Sequence, residues 1–291
     1  MLKKKIVIAS HALDEAITQC VIKNKRSMDS HFIIVSLRDF ISSYDVFDEL
    51  DDLSHTIRWY NYNGRDEDII SNESHCLLNR VLYVPGHLFS DFASSDKEYA
   101  SRELEAYLGF AFNAFSGVGN KSAKGICAEI LSLPQQWRKI KQVCEINVPN
   151  YYWGPEHFNT LDKEDGLVYS SPYNFINWSL CNTLPEEGGE ESLFCFEKPQ
   201  GDPIFILSIG NEQLIYSHIF LSKETEDCVK QFSKIIAQSA GYFISEILFF
   251  INESAITFGC INAEIIRSNK NPCFDEFVCK HLTNEFYKCA N

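Results

Sequence analysis

The sequence predicts an α/β protein that becomes α+β in its C-terminal part, with a parallel sheet first and antiparallel strands later. Three observations predict it. Apolar runs at residues 5–9 (KIVIA) and 31–36 (HFIIVS) flank a segment in which Leu13, Ala16, Ile17, Cys20 and Val21 recur at helical spacing. Strand, helix, strand at this distance is a βαβ unit, which implies parallel pairing. In the second half, apolar runs are separated by only a few turn residues, at Gly210-Asn211-Glu212 and Asn252-Glu253-Ser254, which is hairpin spacing. Between the halves the texture changes: after Trp153, residues 154–166 are polar and 186–191 (EEGGEE) form an acidic loop.

The remaining elements follow in order. Residues 56–60 (TIRWY) read as a third strand, and 76–84 (CLLNRVLYV) as a strand carrying one charged residue, Arg80, in apolar surroundings. Residues 96–115 form a helix with Tyr99, Leu104, Tyr107, Leu108, Ala111 and Phe112 on one face. A second helix spans 121–133, and Pro134 opens a third, continued by 135–145, at a position where proline costs no hydrogen bond. Residues 146–152 (INVPNYY) are extended, as the residue before proline prefers. Strands follow at 192–197, 203–209 and 213–220, then an amphipathic helix at 224–240. The hairpin 244–251/255–262 comes next, and the chain closes on a helix, 273–289, with Phe274, Phe277, Val278, Leu282 and Phe286 inward.

Composition sets the boundaries on function. A chain of 291 residues, 45% hydrophobic and 23% charged, has an ordinary globular balance. Its net charge of −14 argues against nucleic-acid binding, because no basic stripe offsets it. No apolar run reaches the roughly 18–20 residues that span a bilayer, and the apolar segment 6–9 is too short for a signal peptide core. Eleven cysteines scattered among apolar neighbours point to a reducing compartment, so the expected location is cytoplasmic.

Several candidate motifs have plainer explanations. No Gly-rich phosphate loop and no GxSxG elbow occur. Lys198-Pro199-Gln200-Gly201 reads as a hairpin turn. Cys273, Cys279, His281 and Cys289 lack zinc-knuckle spacing. His75 and Cys76 are adjacent and so point apart. The acidic run Asp45, Asp48, Glu49, Asp51, Asp52 reads as a solvated loop and helix start.

Four stretches taken together resemble the ATP-grasp ligases, nearest to ribosomal-protein glutamate ligases and microviridin-type (graspetide) peptide ligases. They are the strand around Arg80 with the helix YASRELEAYLGFAFNAF and Gly119-Asn120; the helix running into Ile146-Asn147-Val148-Pro149; GDPIFILSIGNEQLIYSHI; and the hairpin GYFISEILFFINESAITFGCINAEI. The resemblance implies a pre-ATP-grasp-like α/β domain at 1–118 and a reduced ATP-grasp-like region at 119–291. It also implies where the family's functional side chains would fall, and there this sequence departs. The family's two phosphate-gripping lysines correspond to Pro134, after Leu133, and to the stretch around Ser170. Its arginine corresponds to Ile204 or Phe205. Its metal-binding aspartate corresponds to Leu248 and its glutamate to Cys260, so only Asn262 matches.

Magnesium takes hard oxygen ligands, which a leucine and a thiol do not supply. The expectation is therefore a catalytically degenerate ATP-grasp-like protein with no cofactor, binding a precursor peptide or a partner ligase. Its candidate cleft is Glu197, Lys198, Glu246, Asn262 and Glu264. The alternative is an active ATP-dependent carboxylate–amine ligase with a displaced site: Glu246, Asn262 and Glu264 on the metal and Lys198 on phosphate, with ATP and Mg²⁺ as cofactors. A further alternative is a thiol enzyme using Cys195 or Cys260 with His218 as base.

Overall fold

Apolar runs that are hydrophobic on both faces form the parallel sheet. In the computed structural model the described residues are 5–26, 28, 32–51, 54–62, 69–118, 131–153, 167–173, 194–253 and 255–289. Strands β1 (Lys5–Ser10), β2 (Phe32–Ser36), β6 (His75–Arg80) and β7 (Ser116–Gly117) pair in parallel in the order β2-β1-β6-β7. Helix α1 (Ala16–Lys23) is the crossover between β1 and β2, and Glu15 caps it by accepting from the Thr18 N–H at 2.9 Å. Helix α2 (Leu37–Ser43) starts at Ser36, whose hydroxyl accepts from the Asp39 N–H. Val7, Ala9, Val35 and Leu77 share one core cluster with Leu108, Ala111 and Phe112 of α3 (Ser94–Ala114).

The sequence reading needs correction between β2 and β6. Residues 56–60 are not a third parallel strand. They belong to β4 (His55–Asn61), the middle strand of a separate antiparallel sheet with β3 (Tyr44–Leu50) and β5 (Ile70–Ser71). Asp45, Asp48 and Glu49 of the acidic run lie in strand β3 rather than in a loop and helix start, Asp51 follows the strand, and Asp52 lies outside the described residues. Val46 and Phe47 sit opposite Trp59 and Arg58, Asp48 pairs with His55 at 2.7 Å, and Asp45 accepts the Tyr62 hydroxyl at 2.7 Å. Cross-strand partners, not local polarity, decide the conformation here.

The second unit is antiparallel. A three-stranded sheet, β8-β10-β9, combines β8 (Tyr151–Trp153), β9 (Leu167–Tyr169) and β10 (Phe194–Glu197). A four-stranded sheet runs β12-β11-β13-β14, from β11 (Asp202–Ile209), β12 (Glu212–Tyr216), β13 (Ile244–Asn252) and β14 (Ala255–Asn262). Residues 198–201 are therefore not a hairpin turn: they carry the chain from one sheet to the other. Gly201 has φ +103°, and a Cβ there would lie 2.2 Å from the Ile251 carbonyl oxygen, so only glycine fits. The β11–β12 turn is the two residues Gly210-Asn211, with Gly210 at φ +58°. Helix α4 (Leu133–Val143) has Pro134 in its first turn, while the Gln135 side-chain Oε1 accepts from both the Ser132 N–H and its hydroxyl. Helix α5 (Lys223–Ala240) starts at Ser222 and ends at Gly241, φ +75°.

The last helix, α6 (Phe274–Cys289), packs on α1. Sequence order groups it with the region after residue 119, but packing returns it to the first unit. The two units are Met1–Ala128 with Pro272–Asn291, and Glu129–Asn271. The expected helix 121–133 lies outside the described residues up to 130, as do 154–166 and the acidic loop 186–191. No described helix is long and apolar enough to cross a membrane.

Candidate functional site

In an antiparallel sheet, directly opposed residues project from the same face. The register of the four-stranded sheet therefore defines two adjacent rungs on one face. The first is Tyr216–Phe205–Leu248–Cys260 and the second is Leu214–Leu207–Glu246–Asn262. Leu248 and Cys260 are each 1% exposed and Phe205 is 5% exposed. The first rung thus presents two buried apolar side chains, a buried thiol and a half-buried tyrosine. Burial and the neighbouring Glu246 carboxyl push the Cys260 thiol well up.

A bulge gives this rung its shape. Leu248 opposes Cys260 while Phe249 opposes Phe258, which leaves Gly259 as the extra residue. A Cβ at Gly259 would lie 2.9 Å from Leu248 Cγ, so the leucine occupies the space a larger residue would need. The open edge of β14 is covered on the other side. The Trp137 indole N–H donates to the Gly259 carbonyl at 2.6 Å, the Ile261 N–H donates to the Gln136 side-chain carbonyl at 2.9 Å, and the Phe258 N–H donates to the Asn147 carbonyl at 2.8 Å.

Glu246 is 2% exposed, and its carboxylate is fully engaged. It accepts the backbone N–H groups of Ile266, Arg267 and Ser268 at 2.5–3.2 Å, fastening the short helical turn Ser268–Lys270 onto the sheet. Burial raises its pKa, and the bonds from Ser268, Arg267 and Ile266 only partly counter this. Asn262 stands directly across from Glu246 and accepts the Glu264 N–H at 3.2 Å, and Glu264 itself is exposed. Glu246, Asn262 and Glu264 are therefore brought to one place.

The other candidates lie elsewhere. Glu197 ends β10 in the three-stranded sheet and accepts the Asn150 side chain at 2.8 Å; Lys198 follows it. Pro134 is buried in α4, and Ser170 is buried after β9, its N–H donating to the Phe194 carbonyl at 3.4 Å. Cys195 is buried and its thiol pushed up by burial, so neither it nor Cys260 has the exposed, electropositive setting of a nucleophile. His218 is exposed and contacts the Tyr216 hydroxyl at 3.2 Å. His75 is held at its Nδ1 by Ser71 and Ser74. His281 packs on Phe277, and among the described residues no group of three or more His, Cys, Asp or Glu could hold a metal. A cleft of about 590 Å³ opens near the turn end of the hairpin, at Ala255 and Ile256, away from both rungs.

The turn 266–268 was not foreseen from sequence. Its one signal is the buried-type strand 244–251 containing a single carboxylate, which must find donors.

No protein-family profile matches the chain, and no curated protein matches it either. Solved structures do. The macrocyclase MdnC from Microcystis aeruginosa MRC superposes with a TM-score of 0.68 at 12% identity, covering 96% of this chain and 99% of that one. A Chryseobacterium gregarium RiPP-associated ATP-grasp ligase gives 0.66 at 13% identity, covering 99% and 98%. The VanG D-Ala:D-Ser ligase from Enterococcus faecalis gives 0.52 at 10% identity, covering 99% and 100%. The fold is ATP-grasp. It matches the peptide-modifying ATP-grasp ligases over nearly the whole length of both chains. In ATP-grasp terms the two rungs lie on the hairpin where the resemblance puts the metal-binding carboxylates. The first rung offers a cation no carboxylate, and the second offers one whose oxygens are held by backbone N–H groups.

Proposed function

We propose that this chain is a catalytically degenerate ATP-grasp protein that serves as a binding or accessory component of a peptide-modification or small-molecule biosynthetic pathway. The observation that carries the reading is the buried pair Leu248–Cys260, in the positions where the resemblance calls for an aspartate and a glutamate, beside Ile204 and Phe205, either of which stands where it calls for an arginine. That rung supplies no cationic or metal-borne charge for the developing charge of a transferring phosphoryl group. A ligand class is suggested by the neighbours: MdnC was solved with its precursor peptide, and the C. gregarium ligase with ADP and a leader and core peptide. A peptide or protein partner is the part of that ligand set this chain keeps, and a net charge of −14 suits a basic one. Cysteines outside disulfides suit a reducing, cytoplasmic setting. Isothermal titration with Mg-ATP tests the reading. The expected result is no saturable heat, and binding at micromolar concentration overturns it.

One observation favours the second reading, an active carboxylate–amine ligase with a displaced metal site. Glu246 and Asn262 are cross-strand partners, and Glu264 is tied to Asn262. That reading requires the Glu246 carboxylate to leave its backbone donors. It also requires ATP-dependent ligation to disappear in Glu264→Ala.

A further inference from the structure

Among the described cysteines, two thiols approach each other. Cys20 Sγ on α1 and Cys279 Sγ on α6 are 3.8 Å apart. The Cys20 thiol also donates to the Asp275 carbonyl at 3.6 Å, and the Asn24 side-chain amide reaches its sulfur at 3.8 Å. Cys20 is buried, whereas Cys279 is half-exposed. The thiols at Cys76, Cys144, Cys195, Cys228, Cys260 and Cys273 are likewise not in disulfides. A disulfide needs its sulfurs at about 2.05 Å. The pair therefore has to close by roughly 1.8 Å.

We infer that Cys20 and Cys279 form a reversible redox clip, an oxidative modification site that joins the C-terminal helix covalently to α1. The asymmetry of the pair assigns the roles. Cys279 is the reachable sulfur, and the hydrogen bond it shares with Cys20 holds its thiol low against the opposing effects of burial and Asp275. The same bond, with burial, pushes Cys20 up. The oxidant is a low-molecular-weight disulfide. The Cys279 thiolate attacks one of its sulfurs, breaks its S–S bond and expels one small thiol, leaving a mixed disulfide on Cys279. Cys20 then gives up its proton and attacks Cys279 Sγ, and the second small thiol leaves. The protein loses two protons and two electrons, and the oxidant gains both. The new bond closes a loop between residues 259 apart, which encloses the whole second unit. This inference is independent of whether nucleotide binding survives.

The test uses the full chain, treated with oxidised glutathione, quenched by alkylation under denaturing conditions and mapped by non-reducing proteolysis with mass spectrometry. The expected result is one linked peptide pair, Cys20 with Cys279, that dithiothreitol reverses. The oxidised chain should melt higher by about 5 °C, and Cys279→Ser should show neither the link nor the shift. Alkylation of both cysteines after oxidation overturns the inference. So does Cys20 linked to a different cysteine, or an unchanged thermal shift in Cys279→Ser. The mapping is read on the unsubstituted chain, so it decides the matter even if the variant folds poorly.

Discussion

Glu15 and Glu246 are both buried carboxylates, one in each unit, and they are held by different means. Glu15 meets a full positive charge. Arg80 Nη2 lies 2.6 Å from its Oε1, while Oε2 takes the Thr18 N–H and hydroxyl. Glu246 meets three backbone dipoles and, among the described residues, no paired cation. Burial raises both pKa values. At Glu15 the charge and hydrogen bonds of Arg80 and the bonds from Thr18 more than reverse it, and at Glu246 the N–H groups do not. The comparison teaches that a carboxylate in the right neighbourhood is not the same as a ligand. Both are spent on holding the fold, and only Glu15 is spent as an ion pair.

The largest effect should come from breaking the ion pair. Arg80→Ala strands the Glu15 charge in the core and should lower the unfolding free energy by about 3–5 kcal/mol in urea titration. Glu246→Ala should cost less, about 2–3 kcal/mol, since it strands neutral N–H groups near a partly exposed turn. Hydrogen exchange at Ile266, Arg267 and Ser268 should accelerate at the same time.

pH separates the two glutamates more finely. Glu15 has a lowered folded pKa, so its contribution is present above the ordinary glutamate value of about 4.3 and is lost as pH falls through the folded value. Glu246 has a raised one, so its contribution is present below about 4.3 and is lost as pH rises through the folded value. Glu246→Gln removes only the second effect. Relative to the parent, its stability should therefore climb as pH rises through that window and then level off, in denaturant titrations at stepped pH. A variant that tracks the parent at every pH would show that Glu246 is not held as described. The smallest effect belongs to Gly259→Ala. The new methyl presses on Leu248, which can shift, and the cost should be about 1 kcal/mol by thermal melting.

What sequence made legible depended on how local the cause was. The hairpin 244–262 was readable because two β-rich runs and a short turn are local features, but the bulge at Gly259 that shifts its register was not. The acidic strand β3 was not, because its conformation is decided by Trp59 and Arg58 across the sheet. The hairpin assumed at 198–201 failed for the same reason: a Pro/Gly pair marks a turn but not which sheet comes next. At the site, the replacement of ligand positions by Leu248 and Cys260 could be read from sequence against the family pattern. The engagement of Glu246 could not, because its donors lie 20–22 residues further on and are backbone groups, which leave no residue signature.

The return of α6 to the first unit has a consequence for synthesis. On the ribosome, residues 129–271 emerge before 274–289, so the inserted unit can complete its own core while the first unit still waits for its last helix. Until then, the α1 surface that α6 covers, Cys20 included, stays open to solvent. A nascent chain stalled before residue 274 should therefore expose the Cys20 thiol to alkylation, and release of the finished chain should conceal it.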